Sequence, residues 1–119
     1  MKKILFIEDE NNLNEAYRTK FSSVYEVDFA TDATIGLQKA TEWQPDLIVL
    51  DIVMAGDMNG IDVLKKLKAN IETVAIPVII LTNLEDQGQT VIDLGAVEYL
   101  LKANTSFDLV AQKINHIFE

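Results

Sequence analysis

The stretch PDLIVLDIVM, residues 45–54, contains an aliphatic run from Leu47 to Leu50 that ends at an acid, Asp51. The run is continuously apolar rather than alternating, which is typical of a strand covered on both faces of a parallel sheet. A second continuous run, Val78 to Leu81, has the same character and is followed by Thr82. These two runs predict central strands of a parallel sheet.

The rest of the chain alternates between strand-like and helical patterns. The remaining strands are predicted at Ile4–Ile7, Val24–Phe29 and Val97–Leu101. Capping residues support the helices, with Thr31 or Asp32 before the second and Thr105 or Ser106 before the fifth. We therefore predict one α/β domain over residues 1–119, with right-handed crossovers in a parallel sheet. The predicted helices span residues 11–22, 32–43, 60–70, 84–94 and 105–118.

Composition and charge exclude several classes of function. The chain has 119 residues, no cysteine and a net charge of −9. Disulfides and thiolate metal sites are excluded, and direct binding to nucleic acid or anionic lipid is not expected. The apolar run at the N-terminus is too short for export or for spanning a bilayer, so we expect a cytoplasmic protein.

An acidic turn follows the first predicted strand in the stretch FIEDENN, residues 6–12. If the first and third strands are neighbours, Glu8 and Asp9 lie near Asp51. Carboxylates at such a short distance raise one another's pKa unless a cation neutralises them. Mg²⁺ is a suitable cation, because it prefers oxygen ligands of this kind. The alternative is that the acids favour a helix N-terminus, with Asn11 or Asn12 as its cap. For Glu10 we adopt this alternative.

Two further polar residues follow predicted strands at the same edge of the sheet. Thr82 comes at the end of the fourth strand and Lys102 at the end of the fifth. A metal and Lys102 would neutralise charge on a transferring phosphoryl group, Thr82 would donate to it, and Asp51 would attack in line. Together these residues predict a phosphoryl-transfer site.

The chain resembles a response-regulator receiver domain of two-component signalling (CheY-like) over its full length. The resemblance lies in IEDE, DLIVLDIVM, PVIILT and GAVEYLLK, which end at or surround residues of the predicted site. It implies a doubly wound, flavodoxin-like (βα)5 fold with five parallel strands in the order 2-1-3-4-5. It also implies that Asp51 accepts a phosphoryl group from a histidine kinase or phosphotransfer protein.

The resemblance also assigns roles to the other site residues. Mg²⁺ would be held by Glu8, Asp9, Asp51 and the backbone carbonyl of Val53. Thr82 and Lys102 would contact the phosphoryl group. Tyr99 would be a switch aromatic that turns inward as Thr82 moves, although a tyrosine there is more often a half-buried packing residue.

Three departures from the family pattern affect loops around the site. Ala103 stands where the family usually has proline, so we expect a trans bond after Lys102. Ala55 replaces another proline, with one extra residue before Gly60, and Asn83 follows Thr82 in place of a small residue. No departure removes a chemical group, so we expect a competent receiver. Asp57 is interpreted as a solvated loop residue, with an outer-sphere metal role as the alternative.

The expected partners follow from the resemblance and from charge. A kinase would dock near Leu13, Ala16 and Tyr17, beside the loop after Lys102. The face of the fourth helix, fifth strand and fifth helix would control a protein target or an effector domain missing after Glu119. Few cations are available there for a symmetric dimer, so we expect a monomer. Residues 83–119 contain six acids (Glu85, Asp86, Asp93, Glu98, Asp108, Glu119) and two lysines (Lys102, Lys113).

Three other interpretations of the sequence remain open at this point. A flavodoxin-like cofactor carrier would need a phosphate-cradling loop after the first strand, where EDENN would repel phosphate. A metal-dependent phosphatase using Asp51 would need a second acid that Ile52 and Val53 do not supply. A pseudo-receiver would fold identically and take no phosphoryl group. We expect no turnover enzyme, and we interpret His116 as a surface residue.

Overall fold

A computed structural model describes residues 1–119 and contains one five-stranded parallel sheet in the order β2-β1-β3-β4-β5. The predicted fold class and strand order are confirmed. The strands are β1 Lys3–Ile7, β2 Glu26–Ala30, β3 Leu47–Leu50, β4 Val78–Thr82 and β5 Glu98–Leu101. The helices are α1 Asn11–Phe21, α2 Ala33–Trp43, α3 Gly60–Ala69, α4 Gly88–Asp93 and α5 Phe107–Phe118, with a short 3₁₀ turn at Lys102–Asn104.

The sheet separates two apolar cores. On one face α2, α3 and α4 pack against the sheet through residues such as Ala40, Leu64 and Val91. On the other face α1 and α5 do so through residues such as Phe21 and Ile114. Strands β3 and β4 are buried along their whole length, as their continuous apolar runs predicted. None of the helices combines the length and apolar character needed to cross a bilayer.

The register brings the carboxyl ends of four strands to one level. Ile7 pairs with Leu50 and Leu50 with Ile80, while Thr82 pairs with Leu101. The residues that follow β1, β3 and β5 therefore lie beside the end of β4. In open α/β sheets this edge is where ligands bind.

Some predicted boundaries were wrong. β2 begins at Glu26, because Val24 belongs to the turn that closes α1, where its amide donates to the Phe21 carbonyl over 3.1 Å. α4 begins at Gly88 instead of residue 84. Lys102 opens the 3₁₀ turn instead of ending β5.

The helix caps agree in part with the predictions, and the peptide bond after Lys102 agrees with them. Asp32 and Ser106 cap α2 and α5, each accepting a hydrogen bond from a helix amide. Neither Asn11 nor Asn12 caps α1, because the N-cap position is Glu10, whose side chain makes no capping bond. The structure contains no cis peptide bond, so the bond after Lys102 is trans as expected.

Candidate functional site

Three carboxylates meet at the carboxyl edge of the sheet. Carboxylate oxygens of Glu8, Asp9 and Asp51 all lie within 4.8 Å of one another. Glu8 and Asp51 are only 3% and 5% exposed, and Asp9 is exposed. The strand register causes this meeting, because Asp51 continues the ladder beside β1 by donating its amide to the Ile7 carbonyl over 3.0 Å.

Both oxygens of the Asp51 carboxylate are oriented by hydrogen bonds. Oδ1 accepts from the Val53 amide at 3.1 Å, and Oδ2 accepts from the Lys102 ammonium at 2.7 Å. Each carboxylate oxygen can accept two hydrogen bonds, so each keeps one lone pair free. The carboxylate is thus fixed in direction and still able to act as a nucleophile.

Lys102 bridges the two buried acids. Its ammonium donates to both Glu8 and Asp51 from the 3₁₀ turn after β5. Burial alone would favour the neutral amine, but the bonds to Asp51 and Glu8 outweigh it and raise the pKa of Lys102. Lys102 is therefore a permanent positive charge in this site.

Glu8 has an unusual acidity. Burial raises its pKa to about 7, against the lowering effect of the hydrogen bond from Lys102 and with a further increase from the charge of Asp51. The Glu10 amide also donates to Glu8 Oε2 over 3.1 Å. Near neutral pH this carboxyl group is poised between its protonated and charged forms.

A buried asparagine, which the sequence analysis missed, supports the acidic turn. Asn14 is 5% exposed, and its Nδ2 donates to the Glu8 carbonyl over 2.8 Å. The buried residues of α1 are Asn14, Tyr17 and Phe21, so the asparagine lies in an otherwise aromatic stripe at helical spacing. One sequence feature could have indicated this role: Asn14 is polar at a position where the helical period predicts an apolar residue.

Thr82 and Tyr99 meet at the backbone of Leu84. The Leu84 amide donates to Thr82 Oγ1 over 3.2 Å, and the Tyr99 hydroxyl donates to the Leu84 carbonyl over 2.5 Å. Thr82 is fully buried and Tyr99 is half-buried. The structure thus joins the threonine at the end of β4 to the aromatic residue of β5 through one loop residue.

Comparison with known proteins identifies the family of the chain. The model of the response regulator receiver domain matches residues 4–114. The chain belongs to this family.

Similar proteins agree with the receiver assignment. ArlR of Staphylococcus saprophyticus, a response regulator, is 34% identical over 115 residues, which cover 94% of this chain and 50% of ArlR. The chain spans about half the length of the first curated relatives it matches. The receiver domain of the Francisella response regulator 1452 is 26% identical, with a TM-score of 0.89 and coverage of 99% and 97% of the two chains.

A third relative bears on the cofactor. The response regulator TrrA of Thermotoga maritima, solved in complex with Mg²⁺ and BeF, is 28% identical, with a TM-score of 0.86 and coverage of 98% and 99%. Receivers accept a phosphoryl group on an aspartate and bind Mg²⁺ at an acidic pocket. The three clustered carboxylates of this receiver are hard oxygen donors, the type that Mg²⁺ prefers, and so fit the cofactor.

Other predicted site residues lie at or beyond the edge of the receiver's cluster. Val53 contacts Asp51 through its amide, and a metal-binding role of its carbonyl stays a prediction. Glu10 is exposed at the N-cap of α1, and neither it nor the exposed Asp57 belongs to the carboxylate cluster. Asp57 instead lines a surface cavity with Asp32.

A small cavity adjoins the site between α1 and the start of α5. It has a volume of about 240 Å³ and is lined by Leu13, Tyr17, Lys102 and Phe107, among others. Tyr17 is only 2% exposed, because its ring stacks on Phe6 with centroids 4.6 Å apart. The prediction that Tyr17 offers a surface for docking was therefore wrong, and of the three residues named only Leu13 and Ala16 retain partial exposure.

Proposed function

We propose that Asp51 is the phosphoacceptor of this receiver and takes its phosphoryl group from a histidine kinase or a phosphotransfer protein. The observation that supports this is the placement of Asp51. Its carboxylate lies within 4.8 Å of Glu8 and Asp9 and accepts a hydrogen bond from Lys102. Its two carboxylate oxygens are oriented separately, one by the Val53 amide and the other by the Lys102 ammonium.

The transfer is a displacement at phosphorus. A free lone pair of Asp51 forms the new oxygen–phosphorus bond, and the nitrogen–phosphorus bond of the donor's phosphohistidine breaks. The imidazole leaves with the bonding electrons and takes up a proton. Water later attacks the phosphorus, which releases phosphate and restores the Asp51 carboxylate. Because the group transferred stays on the protein until then, the chain acts as a switch rather than as a turnover enzyme.

The charges around Asp51 suit this step. Glu8, Asp9, Asp51 and the Val53 carbonyl would hold Mg²⁺, which supplies positive charge that neutralises the phosphoryl oxygens. Lys102 already donates to Asp51 and would move its hydrogen bond to a phosphoryl oxygen. The oxygen of the Thr82 hydroxyl accepts a hydrogen bond from the Leu84 amide. The hydroxyl hydrogen would be donated to a second phosphoryl oxygen.

The signal would leave the site through Leu84. If Thr82 turns toward the phosphoryl group, its bond to the Leu84 amide weakens and the loop that holds the Tyr99 hydroxyl moves. Tyr99 would then turn inward and change the face formed by α4, β5 and α5. Phosphorylation acts in this way on a two-state element at a distance. We propose that this face controls a protein target or an effector domain.

The partners follow from the same surfaces. The kinase or phosphotransfer protein would dock over Leu13 and Ala16, beside the turn that carries Lys102. We propose that the receiver acts as a monomer without direct contact to nucleic acid or membrane, since its net charge is −9. Receivers are typically cytoplasmic proteins, and we propose the same location here.

Intact-mass measurement tests the chemistry. The protein is incubated with acetyl phosphate and Mg²⁺, beside a chelated sample and the variant Asp51→Asn. We expect the wild type with Mg²⁺ to gain the mass of one phosphoryl group, and we expect no gain in the chelated sample or in Asp51→Asn. The matched control is Asp57→Asn, which removes an exposed acid outside the cluster and leaves the gain intact.

Three results would contradict the proposal. Equal phosphorylation of Asp51→Asn would move the acceptor to another residue. No mass gain in the wild type, together with an unchanged NMR spectrum on adding beryllofluoride, would make the chain a pseudo-receiver. Sustained turnover of a chromogenic phosphomonoester would instead indicate a phosphatase.

A further inference from the structure

The backbone of Glu8 is held at both ends. Its amide donates to the Ala30 carbonyl of β2 over 2.9 Å. Its carbonyl accepts from Asn14 Nδ2 over 2.8 Å, and no backbone amide donates to that oxygen. The first contact extends the sheet by one residue, whereas the second depends on a single side chain of α1.

The bond from Asn14 fixes more than one residue. The Glu8 carbonyl belongs to the peptide unit that joins Glu8 to Asp9, and a peptide unit is planar. Holding its oxygen therefore sets the orientation of the unit to which both acids are attached. These are two of the three residues whose carboxylate oxygens lie within 4.8 Å of one another.

The choice of asparagine at this position is costly for stability. Asn14 Oδ1 is buried and has no hydrogen-bond partner. An unsatisfied buried polar atom destabilises the fold, and a leucine in the same stripe would avoid the penalty. The orientation of the amide is dictated by its partner, because only the NH₂ group can donate to a carbonyl. The Asn14 side chain thus makes one hydrogen bond, to the Glu8 carbonyl, and leaves its own oxygen unsatisfied.

We infer that Asn14 is a positioning residue for the Glu8–Asp9 pair and sets the affinity of the site for Mg²⁺. This inference rests on the proposed function, in which these two acids are metal ligands. Asn14 acts through the peptide unit of the acids and touches no reacting atom. Groups that orient metal ligands in this way typically change metal affinity 10–100-fold when they are removed.

The chain offers a closely matched control. Thr73 is buried, and its Oγ1 donates to the Leu67 carbonyl over 2.7 Å, also six residues away in sequence and at the far end of α3. Thr73→Val and Asn14→Leu each delete one buried bond from a side chain to a backbone carbonyl. Asn14→Ala serves as a second variant if leucine does not fit.

The experiment measures Mg²⁺ dissociation constants by calorimetry and unfolding midpoints in urea for wild type and both variants. We expect Asn14→Leu to raise the dissociation constant about tenfold. Thr73→Val should leave it at the wild-type value. With acetyl phosphate, the rate for Asn14→Leu should recover at saturating Mg²⁺, because the acceptor Asp51 is intact.

Two outcomes would overturn the inference. An unchanged dissociation constant in Asn14→Leu and Asn14→Ala would show that the acids do not need this bond. Equal weakening in Thr73→Val would show a general effect of lost stability. A wild type that binds Mg²⁺ but is not phosphorylated at Asp51 would instead refute the proposed function and leave the role of Asn14 in metal binding standing.

Discussion

Glu8 is the residue whose ionisation is most closely linked to the state of the site. Its pKa is raised to about 7, chiefly by burial. In the unfolded chain the same group has its ordinary value near 4.5. Between these two values the folded state holds a proton that the unfolded state releases, so in the absence of metal the fold loses stability as pH rises through 7.

We therefore predict that the metal-free protein becomes more stable as pH falls from 8 to 5.5. Over this range the contribution of Glu8 should be about 2 kcal/mol, because pH 5.5 lies about 1.5 units below the folded pKa and one unit corresponds to about 1.4 kcal/mol. Urea unfolding in chelator at several pH values measures it. Glu8→Gln should remove this contribution, whereas Glu10→Gln, at an exposed position, should keep it. Identical pH profiles for wild type and Glu8→Gln would refute the assignment.

Which site residues could be predicted depended on how each is placed. Glu8, Asp51 and Thr82 lie at or just past the ends of parallel strands, and register alone brings such positions together. Asn14 was missed because its contact is to a backbone carbonyl, which no side-chain motif encodes. Tyr17 was expected to offer contact to a docking kinase, whereas its ring is buried against Phe6.

At the level of elements, α3 lies very close to the loop after β3, and this contact fixes the backbone of Asp51. The Gly60 amide donates to the Ile52 carbonyl over 2.8 Å. A Cβ on Gly60 would lie 2.0 Å from the Asp51 backbone oxygen and 2.6 Å from the Ile52 Cα. Only glycine fits between the helix and this backbone, which explains why the altered loop still ends in that residue.

Gly60→Ala should therefore displace the Asp51 backbone and destabilise the protein by at least about 2 kcal/mol. Gly36→Ala is the comparison, because its Cβ would meet side-chain atoms of Ile7 and no backbone atom, at 2.8 Å from Cδ1 and 3.0 Å from Cγ2. There the steric cost should be smaller, and the better helix propensity of alanine, about 1 kcal/mol, opposes it. Urea unfolding and phosphorylation rates measure both. Equal losses in the two variants would contradict this explanation.

The fourth helix shows why sequence pattern can misplace a helix start. The stretch from Leu84 onward has helical composition, but the Leu84 amide is occupied by Thr82 Oγ1. Asp86 then adopts a left-handed backbone with φ of 62°, which no helix accommodates. The helix therefore begins only at Gly88. The side-chain bond and the left-handed residue are local backbone features that the composition of the segment does not reveal, whereas the helix itself was visible in the sequence.

For the whole molecule, the distribution of charge bears on assembly. Residues 83–119 contain only two lysines, and both are engaged within the chain. Lys102 binds Glu8 and Asp51, and the Lys113 ammonium lies 3.5 Å from Glu98. A symmetric dimer through α4, β5 and α5 would bring the remaining acids together without cations to oppose them.

We predict that the protein saturated with Mg²⁺ and beryllofluoride remains a monomer. Sedimentation velocity at several concentrations, with and without beryllofluoride, measures the mass of the sedimenting species. Raising the salt concentration serves as a control, since it screens repulsion between exposed acids. A dimer that forms at micromolar concentration only in the activated sample would contradict the prediction.

The order of the site residues along the chain has a consequence for synthesis. Glu8 and Asp51 leave the ribosome well before Lys102, the ammonium that bridges them. Until β5 is added to the edge of the sheet, a nascent chain holds the acids without their internal counter-ion. The phosphoacceptor site is therefore completed only after β5 and Lys102 have been synthesised, so a kinase that meets an unfinished chain finds Asp51 without its lysine partner.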